Sequence, residues 1–318
     1  EARASNSMAY AYLLDEDVAD GTRRILSEEV DRAEKILRRK RNKVIAVHET
    51  RKSIKRARAL LRLVKDGLQK RDFRRANTCF RDLNRLLAQS RDMDVMVQTL
   101  TRLEETCGLA GTATASRVHD AINAAREDAA KQVSTPPIKR ALAALDDSRE
   151  LVSELDVSGV SLDIVIKGLG RSMAEFTKHH ARLSPEADAE VYHEWRKTVQ
   201  FHRRHILLLS AAWPDSLQPR VSVSKQLSEC LGFDHDLAVF MDFVSSPRRR
   251  PATKRDVTKL AGIASSQQVE LRRQARALGA LLSAEAPNAF RSRVEAYWQV
   301  QKGFQIELNA STPMEASL

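Results

Sequence analysis

A chain of 318 residues with 42% apolar side chains can bury one large core or two ordinary ones, which excludes wholesale disorder. Only 11 glycines and 9 prolines interrupt it, and a formal net charge of +11 points to a polyanionic partner: nucleic acid, an anionic membrane surface or a phosphate polymer. Three widely spaced cysteines without a CxxC pair argue against a disulfide framework or zinc knuckle and fit a reducing cytoplasm, while the most apolar run, "ILLLSAAW" (206–213), is too short to span a bilayer.

Helical periodicity dominates, and no run alternates as a strand does. The opening "EARASNS" has no periodicity and is set outside the fold, with Met8 read as the native start. The pattern then predicts helices near 16–40, 44–66, 71–89, 92–107, 112–133, 137–153, 161–182, 188–212, 220–231, 235–245, 252–283 and 287–308. Breaks are expected at Gly67, Gly108, Pro136-Pro137, Gly159, Pro185, Pro214 and Pro247. The segment "SSPRRRPATKR" (245–255) reads equally as an ordered loop or a basic tether.

An internal repeat runs through these elements. His48-Glu49-x-Arg51-Lys52 recurs about 145 residues later as His193-Glu194-x-Arg196-Lys197. Downstream, "LLAQSRDMDVM" (86–96) pairs with "CLGFDHDLAVF" (230–240), and upstream "GTRRILSEE" loosely matches "GLGRSMAEF". The expected fold class is all-α: two antiparallel helical bundles, 8–155 and 156–318, joined near 150–160.

On a helical wheel with His48 at zero, Arg51, Lys52, Lys55, Arg58 and Arg62 fall within roughly 80°, while Ile54, Ala57, Leu61 and Val64 lie opposite. The second copy repeats this, with Arg196, Lys197, Arg203 and Arg204 around His193 and Val199, His202, Ile206 and Leu209 opposite. A charged stripe is ordinarily a solvated face. Such faces mix signs, however, because like charges at i,i+4 repel, and Arg51–Lys55 and Arg58–Arg62 both accept that repulsion. Two related helices with the same stripe argue for an anionic ligand that supplies the missing charge.

The histidines have separate readings. His48 and His193 head their stripes, where an imidazole can donate to a phosphate oxygen and a phosphate favours its cationic form. His202 and His205 point to the core, and His119, His179 and His180 read as surface residues. Asp92 and Asp236 are expected to cap the helices that follow them, with Arg91 facing either solvent or ligand. No metal-ligand spacing, P-loop, GxGxxG, HExxH or GxSxG occurs, so neither catalysis nor a metal cofactor is expected.

The two HExRK helices, "YHEWRK", and the "RDMDV" and "HDLAV" segments resemble the CHAD family, the conserved histidine α-helical domain, over roughly 16–306. The resemblance implies two four-helix bundles in pseudo-two-fold relation around a basic central groove or pore that binds inorganic polyphosphate. It also implies association with polyphosphate bodies. Carried over by motif position, the ligand residues are His48, Arg51, Lys52, Lys55, Arg58, His193, Arg196, Lys197, Arg203 and Arg204, with Arg24 and Arg171 added from the preceding helices. Smaller anions, sulfate or phosphate, would occupy the same groove. Members are often fused to a CYTH triphosphatase domain, of which no trace appears, so catalysis is not inherited. The chain departs from the pattern at Gln200 and Phe201, which predicts unequal halves. The alternatives are a nucleic-acid binder, disfavoured by 5% aromatics with none read on the stripe to stack bases, or a generic scaffold for acidic surfaces.

Overall fold

A computed structural model describes residues 10–39, 42–88, 92–131, 137–184, 187–246 and 253–311. Arg91, Pro185, Pro247 and most of the 245–255 segment lie outside the described residues, as does the side chain of Asp92. Among those described, every regular element is helical: α1 (Val18–Arg39), α2 (Lys43–Leu63), α3 (Lys70–Leu86), α4 (Asp92–Cys107), α5 (Ala113–Lys131), α6 (Pro137–Glu154), α7 (Leu162–His180), α8 (Ala189–Leu208), α9 (Pro214–Ser245), α10 (Lys254–Ser283) and α11 (Pro287–Ser311). Single 3₁₀ turns follow α2 and α8 at corresponding places, Lys65–Gly67 and Ser210–Ala212.

Local chemistry sets several of these ends. Asn42 and Ser161 cap α2 and α7 by accepting from the backbone N–H groups of Ile45 and Ile164. Thr253 and Asp256 form a reciprocal capping box at the start of α10. Pro214 begins α9, where its missing N–H costs nothing.

The two helices expected at 220–231 and 235–245 are instead one helix, α9, with Pro219 near its start. Pro219 is sixth in α9, just past the N–H groups that have no intrahelical partner, so its ring forgoes one ladder bond, to the Asp215 carbonyl, near the helix start. Asp236 consequently sits mid-helix, with no helix end there for it to cap. In the first repeat the corresponding stretch is two helices, α3 and α4.

The packing repeats as the sequence does. α1 packs on α2 and α6, and α2 on α3; in the second half α7 packs on α8 and α11, and α8 on α9. Apolar burial gathers in two clusters, each drawing on both repeats. The larger joins α1–α3 and α6–α8 with the first half of α9, the end of α10 and the first half of α11. The smaller sets Met96, Leu100, Leu103, Val118 and Ile122 against Phe233, Leu237, Phe240 and Leu260. At about 25 cal/mol per Å² of apolar area removed from water, these clusters are the main source of stability.

Two close approaches bring the repeats together. A Cβ on Gly168 would lie 2.1 Å from the Leu63 carbonyl oxygen, so α7 can cross the end of α2 only with glycine there. Gly67 and Gly159 meet similarly, pinning the α6–α7 connection to the turn after α2.

Candidate functional site

The charged stripes come from helices that touch. α2 and α8 lie side by side: the Arg62 guanidinium sits 4.4 Å from the centre of the Phe201 ring, and His205 Nε2–H donates to the Ala59 carbonyl at 2.9 Å. Residue numbers fall along α2 as they rise along α8, so the pair is antiparallel. Ile54, Ala57, Leu61 and Val64 are buried, as are Val199, His202, Ile206 and Leu209, which leaves the basic faces outward. α3 flanks α2 and α9 flanks α8, giving the order α3, α2, α8, α9 across this face.

Cations from both helices converge near the middle of the face. Arg204 is pushed down to about 10 by burial, against which Tyr10 acts, and then by Arg203, Arg56 and Arg196. Arg203 is likewise lowered, first by burial, with Glu229 opposing and Arg56 reinforcing. On the α3 side, Arg58 is lowered by burial and then by Arg62, Arg81 and Arg85; its Nε donates to Asn77 Oδ1 at 3.3 Å. Three arginines of α2 thus meet two of α3 and three of α8. Such mutual repulsion persists in a folded protein where burial of the helix stems holds it in place and an anion can offset it.

The family model for the CHAD domain matches residues 24–245, more than half of the chain. The chain belongs to the CHAD domain family. Among solved structures, the CHAD domain from the plant Ricinus communis shares the fold at a TM-score of 0.61 with 20% identity, covering 86% of this chain and 95% of its own. PptA from Streptomyces chartreusis matches at 0.59 with 16% identity, covering 85% and 100%. No curated sequence matches significantly.

Within this CHAD domain the residues expected at the site fall into three groups. Arg58, Arg196, Arg203 and Arg204 stand among other cations, as described. Arg51 reaches α3, donating to the Asn84 carbonyl at 2.9 Å, and Lys55 is half-buried on the same stripe. His48 lies 3.9 Å from Glu49 at the head of α2. Lys52 and Lys197, each about half exposed, fold back onto Glu49 and Glu194 one turn earlier. The stripes therefore carry more acid than a wheel suggests, because glutamate three residues before lysine reaches it across one turn.

Arg24 and Arg171 belong elsewhere. Arg24 is held by Glu16 (2.6 Å), Glu28 (3.1 Å) and the Ala11 carbonyl, and these carboxylates raise its pKa. Arg171 pairs with Asp66 and donates to the carbonyls of Arg62 and Leu63, where α2 ends. Both close helix junctions, and their guanidinium groups are already satisfied. Among the histidines, His202 and His205 are buried, and burial holds His205 down at about 3, so it is neutral. His180 is no surface residue: its ring packs on Phe176 and Trp195.

Arg56, Arg81, Arg85 and His235 join the face from outside the set that the sequence points to. Arg56 lies at the margin of the α2 wheel and turns toward α8, resting over Tyr10 and near Glu29. Arg81 and Arg85 lie on α3, and an i,i+4 arginine pair there is the signal that could have found them. Phe201, which reads in the sequence as a loss of charge, instead supports Arg62 through its ring face. Among the described residues no three His, Cys, Asp or Glu side chains group to hold a metal, and no helix is long and apolar enough to cross a membrane.

Proposed function

We propose that this CHAD domain binds inorganic polyphosphate along the outer face of α2 and α8, without catalysing its turnover. The observation that carries the reading is the convergence of Arg56, Arg196 and Arg203, from two helices, on Arg204, whose charge all three weaken. Polyphosphate offers about one charge per phosphate on a flexible, base-free chain, and guanidinium groups satisfy it with charge-assisted, often bidentate bonds. Two stripes in contact engage successive phosphates of one polymer, so modest sites combine into high avidity. α3 adds Arg81 and Arg85 around Asp82, to which Arg81 is paired, while α9 places the Lys225–Glu229 pair on the other flank, so the α2 side carries the larger net positive charge. Association with polyphosphate granules follows from such binding.

The test is calorimetric titration with long-chain polyphosphate beside single-stranded and duplex DNA of matched charge, at two salt concentrations. Tight polyphosphate binding with weak, salt-erased DNA binding supports the reading. Equal binding of all three identifies a generic anion surface. The variant Arg51→Ala/Lys52→Ala/Arg196→Ala/Lys197→Ala is expected to lose binding with helicity retained.

A further inference from the structure

At the head of α8, His193 meets His235 of α9, with ring centroids 4.6 Å apart and planes tilted by 36°. Neither ring has a carboxylate hydrogen-bonded to it among the described residues. Arg196 lies along α9 beside them: a Cβ added at Gly232, one turn before His235, would come within ordinary contact, 3.8 Å, of its guanidinium. His193 Nδ1 is buried without a hydrogen-bond partner, so Nε2 is the nitrogen left to meet a ligand.

The charges around the pair are of one dominant sign. On α8, Glu190 and, less, Glu194, which is paired with Lys197, act on His193 against burial, Lys197 and Arg196. On α9, Asp234 turns away to Arg272 of α10 at 2.8 Å, and Asp236 follows His235 in the helix. From α4, which also packs on α9, Arg102 lies over Phe233 and Asp94 pairs with Arg126. Burial, then Arg196, His193 and Lys197, push His235 down to about 4; His193 is lowered by burial and then by Lys197. Both rings are therefore neutral at neutral pH in the empty domain.

We propose that His193 and His235 form an imidazole subsite that grips one phosphoryl group of a bound polyphosphate chain and takes up a proton in doing so. This rests on the polyphosphate reading above. A phosphoryl oxygen drawn in by Arg196 and Lys197 reverses the local field, and the cationic ring then donates N–H to it. The balance is simple: one proton passes from solution to an imidazole nitrogen, and no covalent bond changes. In the sequence register Arg91 stands at the position of His235 in the first repeat. The titrating member is thus peculiar to the second repeat, because an arginine stays charged throughout.

The linkage has a definite sign. The imidazole pKa is higher in the complex than in the free domain, so affinity rises as pH falls through the complex's value and levels off below about 4, where free His235 is itself protonated. One proton gives at most tenfold per pH unit.

Long-chain polyphosphate, whose titrating ends are a small share of the polymer, is titrated into the full chain in two buffers of different ionisation enthalpy, from pH 5.5 to 8. Wild type is expected to take up protons and to tighten about tenfold from pH 7.5 to 6. His235→Gln is expected to lose most of the uptake, and His235→Arg to bind with a flat pH profile. Tight binding with no proton uptake overturns the proposal and leaves the polyphosphate reading standing. Uptake that survives in both His235→Gln and His193→Gln also overturns it. No binding at any pH overturns both.

Discussion

Arg24 and Arg203 carry the same side chain in opposite surroundings. Arg24 has two carboxylates and a carbonyl within hydrogen-bond reach, whereas Arg203 has Nε buried without a hydrogen-bond partner and Arg56 nearby. Arg24→Ala is expected to cost about 1–3 kcal/mol of stability by stripping partners from half-buried acids, with polyphosphate affinity unchanged. Arg203→Ala should do the reverse, leaving the denaturation midpoint level or raised while weakening binding. Chemical denaturation and calorimetry on the two variants separate these outcomes, and a loss of affinity in Arg24→Ala with an unchanged midpoint would return that residue to the site. A wheel shows Glu28 one turn on from Arg24 but not Glu16, which lies before α1 and reaches Arg24 only through the fold.

At the scale of elements, glycines show which helices are crowded. Gly262 lies inside α10 with nothing within 4 Å of an added Cβ, so Gly262→Ala is expected to stabilise by about 0.5–1 kcal/mol through helix propensity. Gly168→Ala drives a methyl into the Leu63 carbonyl and should destabilise by about 1–3 kcal/mol. Thermal melts of the pair must move in opposite directions if α7 crosses α2 as described. The α5–α10 contact depends on Asp256, which accepts from Arg117 and from the Thr114 and Thr253 hydroxyls, and these hold its carboxyl far below the usual range. A depressed folded pKa means that this stabilisation is complete above about pH 4 and drains away as pH falls below it. Asp256→Asn is accordingly expected to lower the melting temperature at pH 7 and to narrow its gap from wild type toward pH 2.

For the whole molecule, the charge layout is lopsided. α3 sets Arg81 and Arg85 beside Arg58 with Asp82 between them, paired to Arg81 at 2.9 Å, while the corresponding turns of α9 carry Lys225 and Glu229, paired at 3.7 Å. Unequal halves are expected in the sequence from Gln200 and Phe201, and the flanking helices add to that difference. Arg85→Ala is expected to reduce the slope of log affinity against log salt by about one, for one phosphate no longer neutralised, whereas Arg81→Ala changes it less because Asp82 already holds Arg81. An unchanged slope would place the polymer away from α3. Both apolar clusters draw on both repeats, so core substitutions in either half are expected to melt the domain in one transition, visible as coincident fluorescence and circular-dichroism curves.

The sequence by itself determined the helical class, the repeat, the family and which face of α2 and α8 is basic, because periodicity and spacing are local properties that one chain displays directly. It also put Ile54, Leu61, Val199 and Ile206 in the core, since an apolar stripe has nowhere else to go. Only the tertiary structure decided which charges are already spent. Arg24 and Arg171 close helix junctions, Arg81 is paired with Asp82, and Arg56, Arg85 and His235 join the basic face from positions a wheel leaves at the margin or on another helix. It likewise decided that Pro219 lies inside one long helix and that α2 rests on α8. These outcomes depend on partners far away in the chain, and a charge has no meaning for binding until every neighbour that could neutralise it is in place.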